Sequence, residues 1–149
     1  MRYSEAKAGR VFVVRLEDGD IIHESLERFA KDNAIIRAQV IALGALDEGS
    51  KLVVGPEDGR ASPVVPMKLC LDQPREITGV GTIFPDERGE PILHMHIATG
   101  RGDGTVTGCV RAGVVVWKVV EVIVTEILEN DSTRIMDPMT GFELLDPTP

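Results

Sequence analysis

The chain reads as an α+β domain, a mostly antiparallel β-sheet carrying one main helix near the N-terminus. Three observations predict it. A single segment, residues 20–35, has helical periodicity. Nearly every other apolar run alternates or is rich in Val and Ile. Short clusters of Gly, Asp and Pro separate those runs, rather than connections of helix length. With 149 residues the chain has the usual size of one domain and can bury a real core. We take residues 1–149 as one unit, with a core of about 10–128 and a C-terminal extension of 129–149.

The first element follows Arg10. The run VFVVRLEDGD alternates branched apolar residues with Arg15 and Glu17 and stops at Asp-Gly-Asp, a strand ending in a turn. The period then changes. Ile22, Leu26, Phe29 and Ala30 recur at helical spacing while Glu24, Glu27, Arg28 and Lys31 lie mostly on other faces, with Asp20 a candidate N-cap and Asn33 a stop. Residues 37–46, RAQVIALGAL, read as a strand bending at Gly44. Residues 51–60 and 63–71 read as two short strands around a Pro-Glu-Asp-Gly turn, and Pro63 and Pro66 favour edge or bulge positions. Residues 75–100 hold two strands joined through PDERGEP, as between antiparallel neighbours. Residues 114–128, VVVWKVVEVIVTEIL, form the longest β-rich run, with Lys118 and Glu121 on opposite parities. The tail beyond Thr133 is proline-rich but holds Ile135, Met136, Phe142 and Leu144. It is expected to pack on the domain or on a neighbouring subunit before fraying at its end.

Charge narrows the function classes. A net charge of −8 and a pI near 4.9 oppose nucleic-acid binding, whose affinity comes largely from Lys and Arg neutralising phosphates. The basic residues are scattered, and 4% aromatic content leaves few platforms for stacking bases. No apolar run is long enough for a bilayer, and MRYSEAKAGRV has no secretory h-region, so a cytoplasmic protein with no membrane partner is expected. Glycine-rich nucleotide loops and internal repeats are absent. Cys70 and Cys109 make no CxxC pair, which fits a reduced compartment. For each, a small buried hydrophobe is the plain reading, most firmly for Cys70 within PVVPMKLCL.

The chemistry concentrates in ILHMHIATGRGDGTVTGC, residues 92–109. On a strand, His94 and His96 share one face, and Leu93, Met95 and Ile97 take the other. The apolar set belongs to the core, so both imidazoles emerge together on a second surface, half of a divalent-metal site. The turn through Gly102, Asp103 and Gly104 can bring Cys109 back to that face, where a thiolate is a strong zinc donor. Arg101-Gly102-Asp103 spells an adhesion tripeptide, but its glycines supply the backbone freedom of a tight connection. His23, in the first turn of the helix, gains nothing from the macrodipole when charged. It is a fourth ligand, a hydrogen-bonding group or an exposed side chain. Glu121, an acid within VVEVIV, is either solvent-facing or held near a cation such as the metal or Arg111.

These segments together resemble the plants-and-prokaryotes conserved domain, over about residues 10–128, in the stand-alone prokaryotic form without an AT-hook. The His-x-His strand and the Glu-Val strand are its most specific features. His94 and His96 match the histidine pair, Asp103 and Gly104 the Asp-Gly turn, and Glu121 the strand glutamate. The resemblance implies a homotrimer, histidines suspected as zinc ligands, and an architecture like that of acetolactate decarboxylase, a metal-dependent lyase. The chain departs from it at Gly108-Cys109, where the commoner pattern ends in histidine, and His23 has no counterpart. The family's DNA-binding label comes from AT-hooks with an Arg-Gly-Arg-Pro core, which this chain lacks.

The expectation is therefore a trimer binding a divalent transition metal, zinc, through His94, His96 and Cys109, with His23 as a possible fourth donor. A small oxygenated ligand would bind nearby. If the site is catalytic, a lyase-like or hydrolytic reaction is expected, with Glu121 or Arg111 moving protons or orienting the ligand. The alternatives are a non-catalytic scaffold, in which the histidines only pack or hydrogen-bond, and a DNA-associated regulator.

Overall fold

The computed structural model describes residues 1–147. One helix and ten strands form a large sheet and a separate hairpin. In chain order they are β1 (Lys7–Glu17), α1 (Ile22–Asp32), β2 (Ala38–Leu46), β3 (Lys51–Pro56), β4 (Pro66–Cys70), β5 (Arg75–Pro85), β6 (Pro91–Arg101), β7 (Gly104–Cys109), β8 (Val116–Leu128), β9 (Thr133–Asp137) and β10 (Phe142–Asp146). The large sheet has the order β1-β8-β2-β5-β6-β7-β3-β4, antiparallel throughout, and β10 pairs with β9. Because β8 lies between β1 and β2, those two strands run parallel to each other, and α1 is the crossover between them. Among the described residues no helix is long and apolar enough to cross a membrane.

One face of the sheet is buried under α1. Ile22, Leu26 and Ala30 join Val40, Met95, Ile97, Val120, Val122 and Val124 in a single core. Two alternations meet there, the helical one of α1 and the two-residue one of β2, β6 and β8. Met95 and Ile97 lie over the backbone of β5, where only glycine fits. A Cβ on Gly81 would come within 2.6 Å of the Met95 Cβ.

The opposite face is largely uncovered. One cross-strand row reads Val13, Ile123, Ile41, Val80, His96, Cys109, Val53, each residue in register with the next. Its first four side chains are exposed and apolar. The β9–β10 hairpin packs against β5, in the middle of the sheet order, which is the first of the two placements expected for the tail. The fraying expected at the end concerns Thr148 and Pro149, outside the described residues.

Several local expectations change. Asp20 does not cap α1; the N-cap is Ile21, without a side-chain bond, and the Asp20 carboxylate closes the preceding turn by accepting from the Glu17 N–H at 2.9 Å. Asn33 does end the helix. Cys70 is exposed rather than buried, because β4 is the outermost strand of the sheet and most of its side chains face solvent. Lys118 and Glu121 are both exposed despite opposite parity. Lys118 has φ of 63° at an irregularity in β8, opposite the bend at Gly44, whose φ of 146° brings its backbone against Val119.

Candidate metal centre

The strand parity read from the sequence places the two imidazoles. Leu93, Met95 and Ile97 are buried in the core, and His94 and His96 project from the other face, His94 half-buried and His96 exposed. The turn after Arg101 returns β7 alongside β6 and sets Cys109 directly opposite His96. The ring nitrogens of His94 and His96 and the Cys109 sulfur all lie within 4.8 Å of one another.

This donor set fits a tetrahedral ion. The two Nε2 atoms are 3.3 Å apart, and two nitrogens at about 2.0–2.1 Å from a shared zinc would be separated by about 3.3 Å. A nitrogen and a thiolate on the same ion would be about 3.5 Å apart, so closing the set from separations of at most 4.8 Å requires a side-chain shift of about 1.3 Å at most. Donation by both Nε2 atoms requires each ring to carry its proton on Nδ1; a direct bond between the rings requires one to hold it on Nε2. Burial first, then the charges of Arg134 and Arg111, lower the His94 pKa below the ordinary imidazole value of 6.5 and favour the neutral, metal-donating form.

Beside His94, the one donor of the three that lines it, lies a cavity of about 170 Å3, lined also by His23, Glu27, Ile92, Leu93, Arg111, Arg134 and Glu143. It forms where β7 leaves the first half of β6. The backbone exposed there is satisfied partly from α1, with the Glu27 carboxylate accepting from the Leu93 N–H at 2.9 Å. His23 therefore reaches the site region without joining the three converging donors. Its buried Nδ1 has no hydrogen-bond partner, and its Nε2 is 4.0 Å from Glu24.

Arg111 is at the site and donates from Nε to the Cys109 sulfur at 3.1 Å. A guanidinium stays protonated, so Arg111 can supply charge and donate hydrogen bonds but is unsuited to moving protons. Glu121 is elsewhere. It is exposed on β8, opposite Arg15 and Leu43, three strand positions and so about 14 Å from β6. Arg134, Glu143 and Glu27 line the cavity and escaped sequence reasoning. Nothing local to the TRIMD segment marks Arg134, whose place depends on how the hairpin docks.

Comparison with known proteins sets this geometry in context. The same architecture occurs in a metal-containing protein from Archaeoglobus fulgidus, with 26% identity, a TM-score of 0.81 and coverage of 97% of this chain and 98% of that one. A plant- and prokaryote-conserved protein from Pyrococcus horikoshii has a TM-score of 0.80 at 20% identity, over 100% and 99% of the two chains. In sequence, the bifunctional protein GlmU of Synechococcus sp. (strain JA-3-3Ab) is 28% identical over 137 residues. These span 89% of this chain but only 20% of that protein, so the chain corresponds to about a fifth of its length. The profile of the Plants and Prokaryotes Conserved (PCC) domain matches residues 3–128, and the chain belongs to that family.

Proposed function

We propose that the protein is a homotrimeric metal-binding domain, holding a divalent transition ion, zinc by donor type, through His94, His96 and Cys109, with a small oxygenated ligand beside it. The observation that carries the reading is the convergence of two strand imidazoles and a thiol on one point, with the imidazole nitrogens at a tetrahedral spacing. The metal-containing relative from Archaeoglobus supports it. The ion would supply Lewis-acid polarisation of a bound oxygen. This chain's own residues contribute neutral His94 and the positive charge of Arg111. If the site is catalytic, that polarisation would serve a lyase-like or hydrolytic reaction, and turnover of a small oxygenated substrate by the zinc-loaded protein is the measurement that tests it.

The trimer reading is supported by the uncovered row of Val13, Ile123, Ile41 and Val80, which leads directly to His96. A neighbouring subunit seated on that row would close the solvent side of the donors. The scaffold alternative calls for imidazoles bonded to backbone carbonyls with no space beside them. Here the two rings meet each other beside a cavity. A DNA-bound role meets the charge of −8.

Elemental analysis of the purified protein tests the central claim. One equivalent of transition metal per chain is expected, falling close to zero in His94→Ala; metal-free wild type, or an unchanged metal content in the variant, ends the reading. Light scattering of Ile41→Glu tests the assembly, with the mass expected to fall from three chains to one.

A further inference from the structure

Beside the three donors stands a charged group that metal binding does not use. Arg134 is 4% exposed. Of its five N–H donors, one bond is made, from Nη2 to Thr82 Oγ1 at 3.1 Å, and its buried Nε has no partner. It forms no ion pair among the described residues. A buried cation with this little compensation is unfavourable, and so calls for an explanation.

Its position supplies one. The β9–β10 hairpin lays Arg134 over Thr82, which is in register with His94 across β5 and β6. Its Cζ lies 6.0 Å from the centre of the Phe84 ring, which backs the guanidinium. Arg134 and His94 thus line the same cavity, and Arg111, bonded to the Cys109 sulfur, lines it as well. Two acids line the same cavity, and neither is paired with an arginine. Glu27 is engaged with the Leu93 N–H, and Glu143 is exposed and forms no ion pair with either arginine. Two guanidiniums facing one small space are suited to an anion, and the fork of Arg134 to the two oxygens of a carboxylate. About 170 Å3 is room for about five or six waters at ~30 Å3 each, hence for a ligand of few heavy atoms.

We propose that Arg134 and Arg111 form an anion subsite that binds the carboxylate of a small oxygenated acid beside the His94, His96 and Cys109 donors. This identifies the ligand class of the metal-site reading and rests on it for the placement of the second oxygen, but the arginine pair stands without the ion. Arg134 lies on the C-terminal hairpin, six positions beyond the region matched by the family profile, residues 3–128, whereas Arg111 lies within that region.

The test is calorimetric titration of the full chain with glycolate, with and without added zinc, and with neutral glycolamide as the charge control. Wild type is expected to bind glycolate at least tenfold more tightly than glycolamide. Arg134→Gln should weaken glycolate by about 10- to 100-fold, the loss of a charge-assisted pair, while holding the same zinc equivalent as wild type. Arg134→Lys should recover part of the affinity. If Arg134→Gln fails to fold by circular dichroism, Arg111→Gln, whose side chain is exposed, carries the same expectation for glycolate affinity. Arginine-dependent glycolate binding in a protein that takes no zinc would overturn the metal reading and leave the subsite standing. Equal binding of glycolate and glycolamide, unchanged affinity in the folded arginine variant, or no glycolate binding with or without zinc would overturn the subsite.

Discussion

Glu126 and Arg134 are both charged and both buried, at 6% and 4% exposure, and they are treated in opposite ways. Glu126, on β8, accepts from Arg10 Nε and Nη2 at 2.8 Å each and from the Arg10 backbone N–H at 3.2 Å. Arg10 in turn reaches solvent and the Asn33 carbonyl. The pair ties β1 to β8 and leaves little for a ligand to bond. Arg134 has one hydroxyl, an aromatic backing and an open cavity. A completed buried charge holds a fold together, while an incomplete one facing a cavity is available for binding.

The largest expected effect comes from breaking the complete pair. Glu126→Ala should lower unfolding free energy in urea by about 1–3 kcal/mol, as hydrogen bonds to a charged group are lost; a negligible change would mean that the pair is ornamental. The same carboxylate should appear in the pH dependence of stability. Arg10's side-chain bond, aided by its N–H, holds Glu126 below the ordinary carboxylate value of 4.5 in spite of burial. Its contribution is therefore present in full above about pH 4.5 and is lost as pH falls through the lower folded-state value. Acid titration of the melting temperature should show that loss in wild type and a shallower one in Glu126→Gln.

The smallest stability effect is expected at the open charge. Arg134→Leu should change unfolding free energy by no more than about 1 kcal/mol, in the direction of greater stability, because an apolar side chain replaces an under-compensated buried cation. Were it to destabilise the protein as much as Glu126→Ala, the contrast between the two sites would disappear.

Much of this was legible in the sequence. The single helix followed from the spacing of Ile22, Leu26 and Ala30, and the emergence of His94 and His96 on one face from the burial of their odd-numbered neighbours. The short turn around Asp103 was enough to bring Cys109 to His96. What was hidden involved contacts between distant segments. The placement of β8 between β1 and β2 sends Glu121 away from the site, and the outermost position of β4 exposes Cys70. Asp20 looked like a cap because helix N-caps and turn closers use the same side chain.

By itself, then, the sequence determined what nearest-neighbour geometry controls: where the period changes from 2 to 3.6, which residues face the core, and which donors share a strand face. Only the tertiary structure decided that a hairpin beyond the family-matched region would place Arg134 over Thr82 beside His94. Side-chain periodicity is written into consecutive residues, whereas the meeting of positions 82, 94 and 134 depends on strand order and on the packing of the whole sheet.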